Sequence, residues 1–243
     1  MWEWLLSEVD ASRVHDILPA VSWHARIMVL SWGILVPLAV LAARFFKVMP
    51  GQDWPNQLDA QTWWRGHWIG QSLAAGLSIL GLSLVFPLNF SDLSLHRVVG
   101  YCVLMGLLAQ ILLGMKRGSK GGPTAPAEDG DWHGDHYNMT PRRRMFEALH
   151  KVLGYGLLLL GTLAIFVGLW EANGPRWMWI VLILWYVFFV GLFGVLQRRG
   201  MAIDTYQAIW GPDVSHPGNQ GPAPKWGMNR PDKFEGDGHV RND

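Results

Sequence analysis

The sequence predicts an all-α membrane protein of five transmembrane helices, the first four forming a four-helix bundle. Two observations carry this. Half of the 243 residues are hydrophobic, only 16% are charged and the mean hydropathy is positive, a balance rarely seen in a soluble domain of this length. The apolar residues gather in five runs, near 23–45, 66–87, 94–114, 147–170 and 176–197, each long enough to cross a hydrocarbon core of about 30 Å as a helix.

The elements follow in order. Residues 1–22 place Trp2, Leu5, Leu6, Val9, Val14, Ile17 and Leu18 among polar and acidic positions, a rough helical periodicity suited to an amphipathic segment on the outer interface. The run from Trp23 to Phe46 lacks the short apolar stretch and small-residue cleavage site of a secretory signal, so it reads as a retained helix. The four later runs complete a transmembrane domain over 23–199, with the fifth packed outside the bundle. Between the third and fourth, residues 116–145 are rich in Gly, Pro and charge and read as a cytoplasmic loop. Residues 200–243, again rich in Pro and Gly, read as a largely disordered cytoplasmic tail. No internal repeat stands out. Trp23, Trp63, Trp64, Trp68, Trp170, Trp177 and Trp179 mostly mark run ends, where aromatic belts sit.

Charge distribution sets the orientation. Arg44, Lys47 and Arg65, then Lys116, Arg117, Lys120, Arg142, Arg143, Arg144 and Lys151, then Arg198 and Arg199 all fall on one side of the five-span layout. The other side has only Arg13, Arg26, Arg97 and Arg176. The positive-inside rule makes the rich side cytoplasmic, with the N-terminus outside and the C-terminus in the cytoplasm of a multi-pass protein. A net charge of +1 gives no reason to expect a nucleic-acid partner. Cys102 is the sole cysteine, which excludes an internal disulfide and a thiolate metal cluster; it reads as a small core residue.

Four histidines begin four successive runs: His24, His67, His96 and His150. Antiparallel threading puts His24 and His96 on one side of the membrane and His67 and His150 on the other. A lone histidine at a helix end is more often interfacial than a ligand. Four of them at alternating depth change that balance, because ionisable groups within spans are costly and usually functional. Two stacked histidine pairs are what two bis-imidazole haems require. Gly100 and Gly154 each follow a histidine by four residues, one turn along the same face, leaving room for a porphyrin plane. Arg97 and Arg26 are placed to meet the propionates of an outer haem, and Arg44, Arg65 and Lys151 those of an inner one; the alternative is that all five snorkel as interfacial cations. Gln71 and Gln110 read first as interhelical hydrogen-bond glue and second as groups supporting the ligands. With Gln110 level with His67, the fourteen-residue rise from His96 separates the two layers by about 21 Å. His133 and His136, with Asp131 and Asp135, compose a weak metal-site pattern for which a solvated polar loop is the better reading. His15, His216 and His239 have no sequence partners.

The stretches WHARIMVLSWGILVPLAVLAARFF, WWRGHWIGQ, LHRVVGYCVLMGLLAQILLG and LHKVLGYGLLLLG resemble the cytochrome b561 family of transmembrane electron-transfer proteins over roughly residues 22–170. That resemblance implies two haem b groups and a dihaem four-helix bundle. His24 and His96 would ligate the outer iron, and His67 and His150 the inner. It also implies a transmembrane oxidoreductase, reduced by ascorbate on one side and reducing monodehydroascorbate or ferric iron on the other. Five spans resemble the b561 half of proteins carrying an extracellular DOMON domain. None precedes Trp23, so a separate outer-side redox partner is expected, alongside a small-molecule or protein donor and acceptor on opposite sides; a homodimer is compatible with this. Ala25 stands where the family often has Gly. Two other readings of the residues remain: a haem b subunit exchanging electrons between quinol and a partner oxidoreductase, and a non-redox transporter whose histidines relay protons or bind metal.

Overall fold

The computed structural model describes residues 1–88, 93–117, 128–130, 134–221 and 225–231. Among them there is no strand, only two isolated β-bridges. After a short α1 (Trp2–Leu6), the first span is one continuous rod made of α2 (Pro19–Met28), a π-helical stretch (Val29–Leu35) and α3 (Val36–Phe45). The other spans are α4 (Thr62–Val85), α5 (Leu95–Met115), α6 (Pro141–Glu171) and α7 (Arg176–Arg198), followed by a short α8 (Thr205–Trp210). Five helical rods are thus long and apolar enough to cross a membrane, and the chain is an integral membrane protein.

Local chemistry explains the ends. Pro19 and Pro141 sit in first turns, where a missing N–H costs nothing. Ser94 and Thr140 cap α5 and α6 by accepting the amides of Arg97 and Arg143 at 3.4 and 3.3 Å. At the end of α6, Asn173 turns to φ 48°, and Gly174 N–H donates to Leu169 O at 3.0 Å. Buried Asn173 also staples the N-terminal segment. Its amide donates to Asp10 O at 2.9 Å and Arg13 O at 2.7 Å, and its Oδ1 accepts from Asp10 N–H at 3.0 Å.

The π-helical stretch has an identifiable cause. Pro37 has no N–H, so the helix around Gly33 cannot keep its regular ladder. The freed Gly33 carbonyl accepts the Trp185 indole of α7 at 2.7 Å. Inside the stretch, Ser31 Oγ donates to Ala74 O at 2.8 Å, and Trp32 Nε1 donates to Ser78 Oγ at 3.0 Å. A buried polar knot therefore pins the first span to α4. Trp32 lies on Gly161 of α6, where a Cβ would come within 2.6 Å of its ring.

The core draws on each of the first four spans: Trp32, Val36, Ala74, Val99, Val103, Leu157 and Ile165. A second cluster, Leu41, Phe45, Phe189, Leu196 and Ala202, joins α7 to α3 from outside. Exposed apolar side chains such as Leu73, Ile79, Met105, Leu159, Leu184 and Val190 line the outer faces of the rods, as contact with lipid requires.

Two expectations are corrected. The tail is not disordered over 200–221: α8 forms there, with Tyr206, Ala208 and Ile209 buried. Its aromatics give it a core of its own, because His136, Tyr137 and His216 pack around Tyr206 and Trp210 at ring distances of 4.9 to 5.7 Å. Cys102 is exposed rather than a core residue, on the outer face of α5.

Candidate functional site

The four span histidines meet in two pairs. His24 of α2 and His96 of α5 have ring centroids 6.0 Å apart with planes at 89°. His67 of α4 and His150 of α6 are 6.1 Å apart with planes at 77°. Each pair joins the helices that antiparallel threading predicts. Two imidazoles sharing a metal through Nε2, with metal–nitrogen bonds of about 2 Å, stand about 6.2 Å apart between ring centres.

Backbone carbonyls orient three of the rings. His24 Nδ1–H donates to Gly81 O at 2.9 Å, His67 to Ala39 O at 3.0 Å and His96 to Ala164 O at 3.0 Å. A carbonyl oxygen has no proton to give, so Nδ1 must be the donor. The lone pair is thereby left on Nε2, the arrangement metal-ligating histidines use. His150 differs: its Nδ1 is buried with no hydrogen-bond partner. Phe146, one turn earlier, stacks on its ring at 5.4 Å and 21°.

These partnerships also fix depth. On the regular helix α4, His67 and the His24 partner Gly81 are fourteen residues apart; on α5, His96 and the His150 partner Gln110 are fourteen apart. Both helices therefore separate the pairs by about 21 Å.

The glycines behave differently from one another. Gly100 has open space where a Cβ would be, whereas a Cβ at Gly154 would meet Gln110 Nε2 at 3.2 Å. The space above Gly154 thus holds the Gln110 amide, which donates to His150 O at 2.9 Å. The closest small-residue contact to a ligand candidate is Gly168, where a Cβ would meet His96 Cε1 at 2.8 Å. It lies on the facing helix, so spacing along α5 could not reveal it.

Of the cations, Arg26 lies over the Trp23 ring at 5.1 Å and is exposed. Arg97 follows the His96 backbone amide, which donates to Glu171 Oε1 at 3.0 Å. Arg65 is exposed at the basic end. Lys151 pairs with Glu147 at 3.5 Å. Arg44 is committed elsewhere: it donates to Tyr155 OH at 2.9 Å, Gln197 Oε1 at 2.8 Å and Trp226 O at 2.6 Å. It locks the C-terminal segment to the bundle.

That segment roofs a cavity of about 200 Å³ at the basic end. Asp59, Gln61, Trp63, Trp64, Arg117, His136, Arg143, Thr205 and Ile209 line it. The Arg117 guanidinium stands 5.6 Å over Trp64, and Arg143 is buried against Glu147 at 3.2 Å. Burial and then Arg143 push His136 down to about 3, so it is neutral. Trp210 Nε1 donates to its Nδ1 at 3.1 Å. Burial also raises the Asp59 carboxyl above its ordinary value. The cavity is therefore positively polarised with aromatic walls. It went unseen in the sequence because its parts come from five segments, one of them expected to be disordered.

The remaining histidines are also placed. His136 is buried rather than solvated, and Asp135 faces Arg142 at 3.7 Å; Asp131, His133 and His239 lie outside the described residues. Two residues without sequence partners have structural ones. His15 Nδ1 lies 2.7 Å from Ala172 O, and His216 Nε2 lies 3.3 Å from Tyr206 OH. Among the described residues no group of three or more His, Cys, Asp or Glu could hold a metal ion; the pairs above offer two nitrogens each, which suits an ion whose other ligands come from a macrocycle.

The chain is 28% identical over 179 residues to a cytochrome b561, DM13 and DOMON domain-containing protein of Arabidopsis thaliana. The alignment takes in 71% of this chain but 17% of the relative. No family model matches the chain. No solved structure matches it either.

Proposed function

We propose that the protein carries single electrons across the membrane through two haem b groups, one held by His24 and His96 and the other by His67 and His150. The observation that carries this reading is the pair of facing imidazoles at 6.0 and 6.1 Å, about 21 Å apart in depth. The donor set fits the group: four imidazoles, three of them with Nδ1–H tied to main-chain carbonyls, in an apolar bundle, are suited to low-spin ligation. The likeness to a b561-containing relative supports it.

When bound, each haem supplies a one-electron couple. The chain's own residues position and insulate it. The carbonyls of Gly81, Ala39 and Ala164 hold three ligand rings in the productive tautomer. The Trp32, Val103 and Leu157 layer fills the space between the pairs and excludes water. No side chain forms a covalent intermediate. Arg26 and Arg97, neighbours of the outer histidines in sequence, and Arg65 and Lys151, neighbours of the inner ones, are the cations that would meet propionates; Gly100 has open space where a Cβ would stand.

We assign the basic end to the cytoplasm on the strength of its arginines. Its cavity, with Arg117 and Arg143, is where a small electron donor or acceptor exchanges with the inner site. On the outer side a redox partner completes the circuit, a reading supported by the relative's name, which joins b561 to a DOMON domain. The test is a pyridine haemochrome assay with optical spectra of the purified protein, followed by stopped-flow reduction with ascorbate, quinol and ferric chelates. Two haems per chain with sharp reduced α bands are expected. One haem or none overturns the reading.

A further inference from the structure

We propose that the Gln110 carboxamide is the positioning group for His150, accepting its Nδ1–H directly or through one buried water, and that the inner site's potential is set by this side chain. The inference rests on the dihaem reading above.

The argument starts from an asymmetry. Three of the four ligand candidates give Nδ1–H to a main-chain carbonyl, and His150 does not. Buried polar atoms are almost always paired, and an orphan costs about 1–3 kcal/mol. A second orphan lies at the same helix contact: Gln110 Oε1 is also buried without a partner. The amide nitrogen is already committed, donating to the His150 carbonyl at 2.9 Å. Turning the amide over would set oxygen against oxygen, so Oε1 is the pole left to serve Nδ1–H. Gly154 makes the arrangement possible, because a Cβ there would crowd the amide at 3.2 Å. Phe146, stacked at 5.4 Å and 21°, fixes the imidazole plane beside the helix contact where both orphans lie.

The chemistry differs from that of the outer pair. A carbonyl of the main chain cannot be changed by mutation, and both outer ligands lean on one. The inner pair combines one such ligand, His67, with one held by a side chain. An acceptor on Nδ1–H raises imidazole basicity and so favours ferric over ferrous iron. The strength of that acceptor is therefore an adjustable control on the inner couple alone.

The experiment uses the full chain, purified and haem-loaded, as wild type, Gln110→Leu and Gln110→Glu. Redox titration followed by optical and low-temperature EPR spectra resolves the two low-spin components. In Gln110→Leu the inner component should move to higher potential, shift its largest g value and hold haem 10–100-fold more weakly. In Gln110→Glu, a stronger acceptor, it should move the opposite way, with the outer component unchanged in both variants. A merely structural glutamine would not give opposite shifts. Unchanged potentials in both variants, or equal shifts of both components, overturn the proposal. Wild-type protein that binds no haem overturns the dihaem reading itself.

Discussion

At the scale of single residues, the pairing of histidines makes a sharp prediction. His24→Ala and His96→Ala should each remove the same spectral component, and His67→Ala and His150→Ala the other, because each pair shares one candidate iron. Loss of the same component in His24→Ala and His67→Ala would show the pairing to be wrong. A second prediction concerns Lys47, which is buried beneath the C-terminal segment with Nζ donating to Ile203 O at 2.8 Å. Burial, reinforced by the Lys151 ammonium, lowers it from 10.5 to about 7. Between pH 7 and 10.5 the unfolded chain then binds a proton that the folded chain does not, so this residue makes stability rise with pH, by about 1.4 kcal/mol per unit. Below pH 7 its cost is complete. Lys47→Met should therefore raise the unfolding temperature in detergent at pH 7 and narrow its advantage as pH rises to 9; a variant less stable at pH 7 would contradict this. The two histidine pairs were legible in the sequence because cost and spacing mark an intramembrane imidazole. Lys47 reads from sequence as one of the charges that set orientation, and only the fold of the tail buries it.

At the scale of elements, the spans were legible from hydropathy to within a few residues, since backbone satisfaction in lipid leaves helices as the available solution. What a period of 3.6 could not show is the π-helical stretch, which arises from Pro37 and is stabilised by partners on two other helices, Ser78 and Trp185. Nor could it show α8, whose apolar residues are too few to signal a helix and whose burial comes from loop residues 134–137 and from His216. The π-helical stretch yields a prediction. Gly161 gives Trp32 its seat, and a Cβ would approach the indole to 2.6 Å. Gly161→Ala should destabilise the protein by about 1–3 kcal/mol through overpacking, read as a lower unfolding temperature in detergent. Gly156, which has nothing within 4 Å of a Cβ, is the control; Gly156→Ala should be nearly neutral. Equal effects at the two positions would mean that the Trp32 seat is not tight.

At the scale of the whole molecule, direction matters most, because exchanging the two ends exchanges which histidine pair meets the cytoplasm. The basic end gathers Arg44, Lys47, Arg65, Arg117, Arg142, Arg143, Arg144, Lys151, Arg198 and Arg199, against Arg13, Arg26, Arg97 and Arg176 at the other. Positive charge resists translocation most reliably in short connections, and the turn from α3 to α4 and the residues just after α7 are of that kind. The N-terminal segment adds a second argument, since exposed Trp2, Trp4 and Leu6 lie beside α7 with Arg176 close to Trp4 at 5.3 Å, an aromatic anchor with few cations to hold it in the cytoplasm. In a Cys102→Ser background, which removes the one native thiol, cysteine introduced at exposed Ser12 should react with an impermeant thiol reagent on intact cells, and cysteine at exposed Ser215 only after permeabilisation. Labelling of Ser215 alone on intact cells would invert the molecule. His67 and His150, Gln110 and the cavity of Arg117 and Arg143 would then face outward, and the donor or acceptor proposed for that end would have to be sought there.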